Sequence, residues 1–121
     1  MSTHLYVVHE NDLLKLVSKI MEWKKVHHIP VVNSRNRIVG IIDKSQLEEI
    51  DFSSKSTFKT IAKNIMNTNF GIANPDMSYQ TAKNIMNSKK NTAIVVVNGD
   101  LLVGIITKSD FEKIEQIKKT L

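Results

Sequence analysis

The sequence contains no cysteine among its 121 residues. This absence excludes disulfide bonds, thiol nucleophiles and zinc sites built from thiolates. It fits a reducing compartment, and we expect a cytoplasmic protein. Aromatic residues are scarce as well, with one Trp, two Tyr and four Phe. They are not interleaved with basic residues as in nucleic-acid-binding surfaces, so we expect no nucleic-acid partner.

Long apolar runs are also missing. The run AIVVV at 93–97 is far shorter than the roughly 20 residues that a membrane-spanning helix needs. The first residues, MSTHLYVVHEND, contain no basic segment followed by an apolar stretch, so they do not predict a signal peptide. The chain has no P-loop, no HExxH motif and no Ser/His/Asp order of a hydrolase. We therefore expect neither a membrane protein nor an enzyme.

Charge of one sign is in modest excess. The chain has 17 basic and 12 acidic residues, a net charge of +5. Many of the lysines fall on helical patterns in the second half of the chain. This pattern is typical of a solvated helix face, and it also favours anionic ligands or partners.

An internal repeat organises the chain. The segment HIPVVNSRNRIVGIIDKSQLEEI at 28–50 matches AIVVVNGDLLVGIITKSDFEKI at 93–114, at an offset of 65 residues before the turn and 64 after it. The hexapeptide AKNIMN also occurs twice, at 62–67 and 82–87. That shorter spacing is a coincidence between two amphipathic helices, because the longer repeat spans nearly the whole chain.

Each repeat predicts the order strand, helix, strand, strand, helix. Residues 1–50 form the first repeat, the polar segment 51–60 is a linker, and 61–121 form the second. We predict first strands at 5–8 and 70–73, and helix N-caps at 11–12 and 75–78. Hairpin turns are predicted at 34–37 and 98–99. The first helix has an apolar stripe formed by Leu13, Leu16, Val17, Ile20 and Met21. Trp23 is expected to pack at the end of this helix.

The paired motifs HIPVVN…RIVGIIDKSQ and AIVVVN…LLVGIITKSD resemble the cystathionine-β-synthase (CBS) domain family as a tandem pair. The resemblance covers about residues 3–118, and the first AKNIMN resembles the short helix that precedes a CBS repeat. It implies an α+β fold of two β-α-β-β-α repeats packed with pseudo-two-fold symmetry. It also implies two clefts that hold adenosine nucleotides or S-adenosylmethionine as regulatory ligands, and no further cofactor.

The motif GIITKSD at 104–110 is the sharpest candidate for a ligand site. In the family, the hydroxyl at the position of Thr107 meets a ligand phosphate, and the carboxylate at that of Asp110 accepts from ribose hydroxyls. A helix start also favours an anion through its free N–H groups. The alternative is structural, because Thr107 and Asp110 have the spacing of a capping box.

Further site residues follow from the same resemblance. Apolar walls for adenine are expected from Phe70, Gly71, Ile72, Ala93, Ile94 and Val95, which also suit an ordinary core. Ile105, within the GIITKSD motif, is a further ligand-binding candidate. His27 and His28 stand where some nucleotide-binding relatives, such as the AMP-activated kinase regulatory subunit, contact phosphate; they also suit ordinary surface histidines. Adjacent residues at a strand start diverge, so we expect no metal there.

The first repeat carries Asp43 and Gln46 where the second carries Thr107 and Asp110. Asp43 caps a helix well but repels a phosphate. We therefore expect one nucleotide per chain, bound at the second repeat.

Two functions remain open at this point. One is a regulatory module that senses an adenosine-containing ligand in the cleft between repeats and modulates an attached or partner protein. The other is a purely structural module for dimerisation or docking. The apolar helix positions, including Leu13, Leu16, Ile20 and Trp23, give more apolar surface than two small sheets can cover, so we expect a homodimer. The leading helix of the first repeat would precede residue 1, so we expect a longer parent protein with an upstream domain. Residues 21–23 resemble CBS pairs fused to carboxylate–amine ligases.

Overall fold

The computed structural model describes residues 5–88 and 93–120. The chain divides into two compact units, residues 6–68 and residues 1–5 with 69–121. Each unit contains a three-stranded sheet and helices, so the predicted α+β fold with two repeats is confirmed. The elements of the first unit are β1 (Val8–His9), α1 (Leu14–Lys24), β2 (His28–Val32), β3 (Ile38–Asp43), α2 (Lys44–Glu48) and α3 (Ala62–Ile65). Those of the second are β4 (Gly71–Ala73), α4 (Tyr79–Ser88), β5 (Ala93–Asn98), β6 (Leu101–Thr107) and α5 (Lys108–Thr120).

The sheet of unit 6–68 has the order β1-β2-β3. β1 pairs with β2 in parallel, and β2 pairs with β3 antiparallel with Ile29 opposite Ile42. Alternation along β2 and β3 turns Ile29, Val31 and Ile42 toward a core shared with α1. The strand predicted at 5–8 is shorter and later than expected, because only Val8–His9 makes ladder pairs.

Helix α1 buries a narrower stripe than the sequence predicts. Leu14, Val17 and Met21 are buried, at the i, i+3, i+7 spacing of one helix face. Leu13 and Leu16 are 46% exposed, and Trp23 is 68% exposed. The prediction that Trp23 packs in the core is therefore wrong. The apolar residues of this helix exceed what one core-facing stripe can bury.

The start of α1 also differs from the prediction. Its N-cap is Leu13, which offers no side-chain acceptor, and the Leu14 N–H donates to the Thr60 carbonyl at 2.8 Å. Asp12 accepts from the N–H of His9 at 2.9 Å and so closes the preceding turn rather than capping the helix. By contrast, the predicted cap at 75–78 is confirmed at Ser78, whose hydroxyl accepts the N–H of Thr81 at 3.2 Å.

The segment around α3 packs on unit 6–68. Asn67 and Ile41 exchange backbone hydrogen bonds of 3.0 and 2.8 Å. Met66 lies directly against Gly40, where a Cβ atom would come within 2.6 Å of the methionine Cγ and Sδ atoms. The first AKNIMN is thus the short docking helix of this unit, and the second lies within α4.

Unit 69–121 repeats the same topology, with β5 between β4 and β6. Its core is formed by one sheet face and the two long helices, and the Tyr79 and Phe111 rings meet at 5.6 Å. The predicted hairpin between β5 and β6 is confirmed. Gly99 has a left-handed φ of 64°, which suits a residue without a Cβ atom.

Candidate functional site

The candidate site lies at one end of the sheet in unit 69–121. β4 begins at Gly71 and β5 begins at Ala93, while the antiparallel β6 ends at Thr107, so all three residues lie at the same sheet end. Ala93 stands directly opposite Thr107. Because α5 follows Thr107 without a gap, the strand delivers this residue to the helix N-terminus.

Thr107 and Asp110 contact each other at this helix start. The N–H of Thr107 donates to Asp110 Oδ2 at 2.9 Å, and the Thr107 hydroxyl donates to the same oxygen at 3.1 Å. In return, the Asp110 N–H approaches Thr107 Oγ1 at 3.3 Å. The Ser109 hydroxyl lies 2.9 Å from Thr107 Oγ1. This is the reciprocal geometry of a capping box.

The capping box leaves part of the site's hydrogen-bonding capacity unused. Both side-chain bonds to Asp110 end on Oδ2. Within residues 5–88 and 93–120, no bond reaches its Oδ1 atom, and the side chain is only half-buried. A carboxylate oxygen accepts up to two hydrogen bonds. Asp110 therefore caps the helix with one oxygen and presents the other to an incoming donor.

Three of the six predicted wall residues share one face of the sheet with Ile105. Ile72 pairs with Val95, and Val95 pairs with Ile105, in a row across three strands. Alternation places Ala93 and Thr107 on that same face. Val95 and Ile105 are buried, whereas Ile72 is 51% exposed at the edge.

The remaining wall residues are placed differently. Ile94 is fully buried on the opposite face, in the core with α4 and α5. Gly71 pairs with Ile94 and so shares that opposite face. Phe70 is half-buried immediately before β4.

The two candidate histidines belong to unit 6–68. His28 Nε2 lies 3.3 Å from Asp43 Oδ2, and the two residues stand opposite each other on β2 and β3. His27 is exposed and lines a groove of about 440 Å³ between α1 and α2. The sequence did not reveal the His28–Asp43 pair. The hairpin turn predicted at 34–37 could have revealed it, since antiparallel pairing on either side of that turn places His28 opposite Asp43.

A second polar cluster, also missed by the sequence, joins the helices of unit 69–121. Glu115 on α5 accepts from the Tyr79 hydroxyl at 2.6 Å and from the Lys83 ammonium, both on α4. These hydrogen bonds to Glu115 raise the pKa of Lys83 and of Tyr79. Lys83 and Glu115 line a groove of about 360 Å³ over Met86 and Phe111.

The described residues contain neither a candidate metal site nor a helix that could cross a membrane. Residues 5–88 and 93–120 contain no group of three or more metal-ligating His, Asp or Glu side chains. In the same ranges, no helix has the length and apolar character needed to cross a membrane.

Comparison with protein families gives one match, which covers most of the chain. The family model described as CBS domain matches residues 1–50 and 62–115. Among curated relatives, the chain is 24% identical to an uncharacterised protein of Methanocaldococcus jannaschii over 91% of this chain and 84% of that protein. It is 25% identical to a homoserine O-acetyltransferase of Methanohalobium evestigatum over 80% of this chain, but it spans only 19% of that enzyme's length.

Solved structures show the same fold. The chain superimposes on AcuB of Vibrio cholerae, named as an acetoin utilization protein, with a TM-score of 0.79. The two are 28% identical, and the match covers 100% of this chain and 90% of that one. A CBS domain pair crystallised with 5′-methylthioadenosine and S-adenosyl-L-methionine gives a TM-score of 0.82 at 23% identity, covering 98% and 93%. A protein named CBSX2, in complex with AMP, gives 0.73 at 21% identity, covering 94% and 90%.

Proposed function

The chain belongs to the CBS domain family, and from this membership we propose that it is a regulatory module for an adenosine-containing ligand. The ligand is AMP, ADP, ATP or S-adenosylmethionine, and it binds where β6 meets α5. Binding modulates an attached or partner protein. The module has no catalytic role, and its location is the cytoplasm.

The observation that carries this proposal is the half-used carboxylate of Asp110. Its Oδ2 atom holds the helix cap, while Oδ1 makes no bond within the described residues. A ribose offers two adjacent hydroxyl donors, which a carboxylate oxygen accepts well. A ligand phosphate would be stabilised by the Thr107 hydroxyl and the positive end of the α5 dipole.

The size of the neighbouring side chains supports the same assignment. Ala93, directly opposite Thr107, has only a methyl group. Ile72, at the edge of the same face, gives exposed apolar surface, and the buried Val95 and Ile105 continue its row across the sheet. Adenine is flat and largely apolar, and ligand sites of this class combine apolar walls with a few placed polar groups. His27 and His28 belong to unit 6–68, and their contact with a ligand phosphate stays a prediction.

The ligands of the structural relatives agree with this chemistry. One relative was crystallised with AMP, and another with two sulfur-containing adenosine compounds. All of these ligands contain the adenosine group that the proposed site accepts.

Thermal unfolding with added ligand tests the proposal. AMP, ADP, ATP and S-adenosylmethionine are each added to the protein, with GMP as the base control. A ligand that binds only the folded state stabilises it by about 2.7 kcal/mol at a concentration of 100 times Kd. We expect a dose-dependent rise in Tm for at least one adenosine compound. If none of them raises Tm, the proposal is refuted and the structural alternative stands.

The alternative is a module for dimerisation or docking without a ligand. The capping box at Thr107 and Asp110 is compatible with it, because a cap stabilises a helix whether or not anything binds. The exposed apolar side chains of α1 favour association as well: Leu13, Leu16 and Trp23. We propose that this face forms a homodimer, which is compatible with ligand binding at the other unit.

The regulated protein is proposed only by class. Two homoserine O-acetyltransferases match over 19% and 14% of their lengths, so CBS-like segments of this kind occur in longer enzymes. These relatives favour an acyltransferase over the carboxylate–amine ligase expected from residues 21–23. We propose that the module acts on such an enzyme domain, either attached or separate.

A further inference from the structure

The positions that form the candidate site in unit 69–121 have direct counterparts in unit 6–68. The strand pairing His28–Asp43 is equivalent to Ala93–Thr107, because both pairs join the start of the middle strand to the end of the last strand. The next helix carries Gln46 where the second repeat carries Asp110. At these three positions the first repeat has histidine in place of alanine, aspartate in place of threonine, and glutamine in place of aspartate.

Asp43 is fully engaged by its own unit. One carboxylate oxygen, Oδ1, accepts from the Ser45 N–H at 3.0 Å and from the Ser45 hydroxyl at 3.2 Å. The other, Oδ2, lies 3.3 Å from His28 Nε2. In the second repeat, Thr107 replaces this carboxylate by a hydroxyl, and Ala93 removes the imidazole.

Gln46 is engaged at both ends of its amide. Its Oε1 atom accepts from the Asp43 N–H at 2.9 Å, which completes a capping box. Its Nε2 atom donates to the Ile65 carbonyl at 3.0 Å. Asp110 makes the first of these bonds in the second repeat, and within the described residues it makes no counterpart of the second. Gln46 thus uses the hydrogen-bonding capacity that Asp110 leaves open, and its bond to Ile65 connects α2 to α3.

We propose that His28, Asp43 and Gln46 are specificity-determining residues that restrict binding to one adenosine ligand per chain. The proposal rests on the function assigned above to Thr107 and Asp110. A ligand at the first repeat would have to displace the His28–Asp43 contact and the Gln46–Ile65 bond. Its phosphate would then face the carboxylate of Asp43, and like charges repel strongly where water is partly excluded. The first repeat keeps the helix cap, and its residues at the ligand-site positions make internal contacts instead of binding a ligand.

Conversion of the first repeat to the residues of the second tests this proposal. The triple variant H28A/D43T/Q46D reproduces the set found at Ala93, Thr107 and Asp110. Native mass spectrometry, run in parallel with AMP, ADP, ATP and S-adenosylmethionine, counts the ligands bound per chain. We expect one ligand on the wild-type chain and two on the triple variant. Adding T107A/D110A to the triple variant should return the count to one.

Each outcome decides between the proposal and the function on which it rests. One ligand on both proteins, or two on the wild type, overturns the specificity role and leaves the ligand-binding function standing. No ligand on the wild type but one on the triple variant supports the specificity role and overturns the function. No ligand on either protein overturns both.

A second variant covers loss of folding in the triple variant. H28A/D43T keeps Gln46 and its bond to Ile65, and a threonine at position 43 still caps α2. We expect this double variant to bind a second ligand more weakly than the first, because Gln46 remains occupied. If the triple variant shows no cooperative unfolding and the folded double variant binds only one ligand, the specificity role is overturned.

Discussion

Asp110 is the side chain on which ligand affinity should depend most. The D110A variant removes the open Oδ1 atom that would accept the ribose hydroxyls. Hydrogen bonds to a charged group contribute about 1.5–3 kcal/mol, so we expect a roughly ten- to hundredfold loss of affinity. Isothermal titration calorimetry with the nucleotide that raises Tm measures this loss.

The same substitution also removes the cap of α5, so a matched control is needed. Q46A removes the equivalent capping acceptor in the first repeat. It should lower stability in the same direction as D110A while leaving affinity unchanged, and D43A should also leave affinity nearly unchanged. If D110A binds as tightly as the wild type, Thr107 and Asp110 serve only as a helix cap.

The G40A variant tests how tightly the segment around α3 packs against Gly40, because it adds a single methyl group at that contact. A Cβ atom at this position would lie 2.6 Å from Met66 Cγ and Sδ. Overpacking of this kind costs about 1–3 kcal/mol, which we expect for G40A in urea unfolding. Because the clashing atoms belong to one flexible side chain, M66A should remove most of that additional cost in the double variant.

Gly99 provides the contrast for this experiment. A Cβ atom there meets nothing within 4 Å, but its φ is +64°. G99A should cost about 1–2 kcal/mol through backbone strain alone. M66A should not change that cost. If G40A lowers the free energy of unfolding equally with and without M66A, contact with Met66 is not the cause of the loss at Gly40.

At the level of the helices, Glu115 connects α5 to α4 through Tyr79 and Lys83. The pKa of Lys83 lies above its ordinary value of 10.5, and that of Tyr79 above 10.0, chiefly because both donate to Glu115. Both groups therefore hold their protons more tightly in the folded state. Their contribution to stability is fully present below these ordinary values, and it is lost as pH rises through the raised values.

Unfolding in urea at a series of pH values checks this linkage. The free energy of unfolding of the wild type should fall above about pH 10, and E115Q should flatten that fall. E22Q is the matched control, since Glu22 forms an exposed contact with Lys19 at 3.9 Å. An equal alkaline slope in the wild type and E115Q would contradict the role given to Glu115.

The sequence predicted those elements whose signals are local. The 65-residue repeat located both sheets, and the Asn-Gly turn and Ser78 located a hairpin and a helix start. The sequence failed where distant backbone decides the outcome. Asp12 has the composition of an N-cap, but its carboxylate accepts from the His9 N–H, and the Leu14 N–H donates to the distant Thr60 carbonyl instead. Trp23 fits an apolar helix position, yet the core accepts only the Leu14, Val17 and Met21 stripe.

Site prediction had the same limit. Thr107 and Asp110 could be found from their motif, and their mutual hydrogen bonds follow from the spacing. Ile94 could not be separated from Val95 by composition. Strand alternation places Ile94 in the helix-covered core and Val95 on the opposite face. The bond from Gln46 to Ile65 spans 19 residues and has no local signal.

At the level of the whole molecule, α1 carries the surface through which two copies should associate. With 100° per residue, Leu16 and Trp23 lie on one side of α1, next to the buried stripe, and Leu13 is the N-cap that precedes the helix. All three are substantially exposed, at 46%, 46% and 68%. Lys15 and Glu22 lie on the other exposed side. One helix thus has a buried stripe, an exposed apolar stripe and a charged stripe.

A homodimer through the exposed apolar stripe would bury these side chains against their copies. Each fully buried leucine or larger apolar side chain contributes about 1.5–3 kcal/mol, and a tryptophan at the centre of an interface often contributes most. We expect light scattering at tens of micromolar to give twice the chain mass of 13.7 kDa. L16K should reduce the mass to that of one chain, because a lysine on each copy brings like charges into the contact. K15E changes a charge on the other side of the same helix and should leave the dimer intact. A mass of 13.7 kDa for the wild-type protein would show that the stripe does not pair with itself.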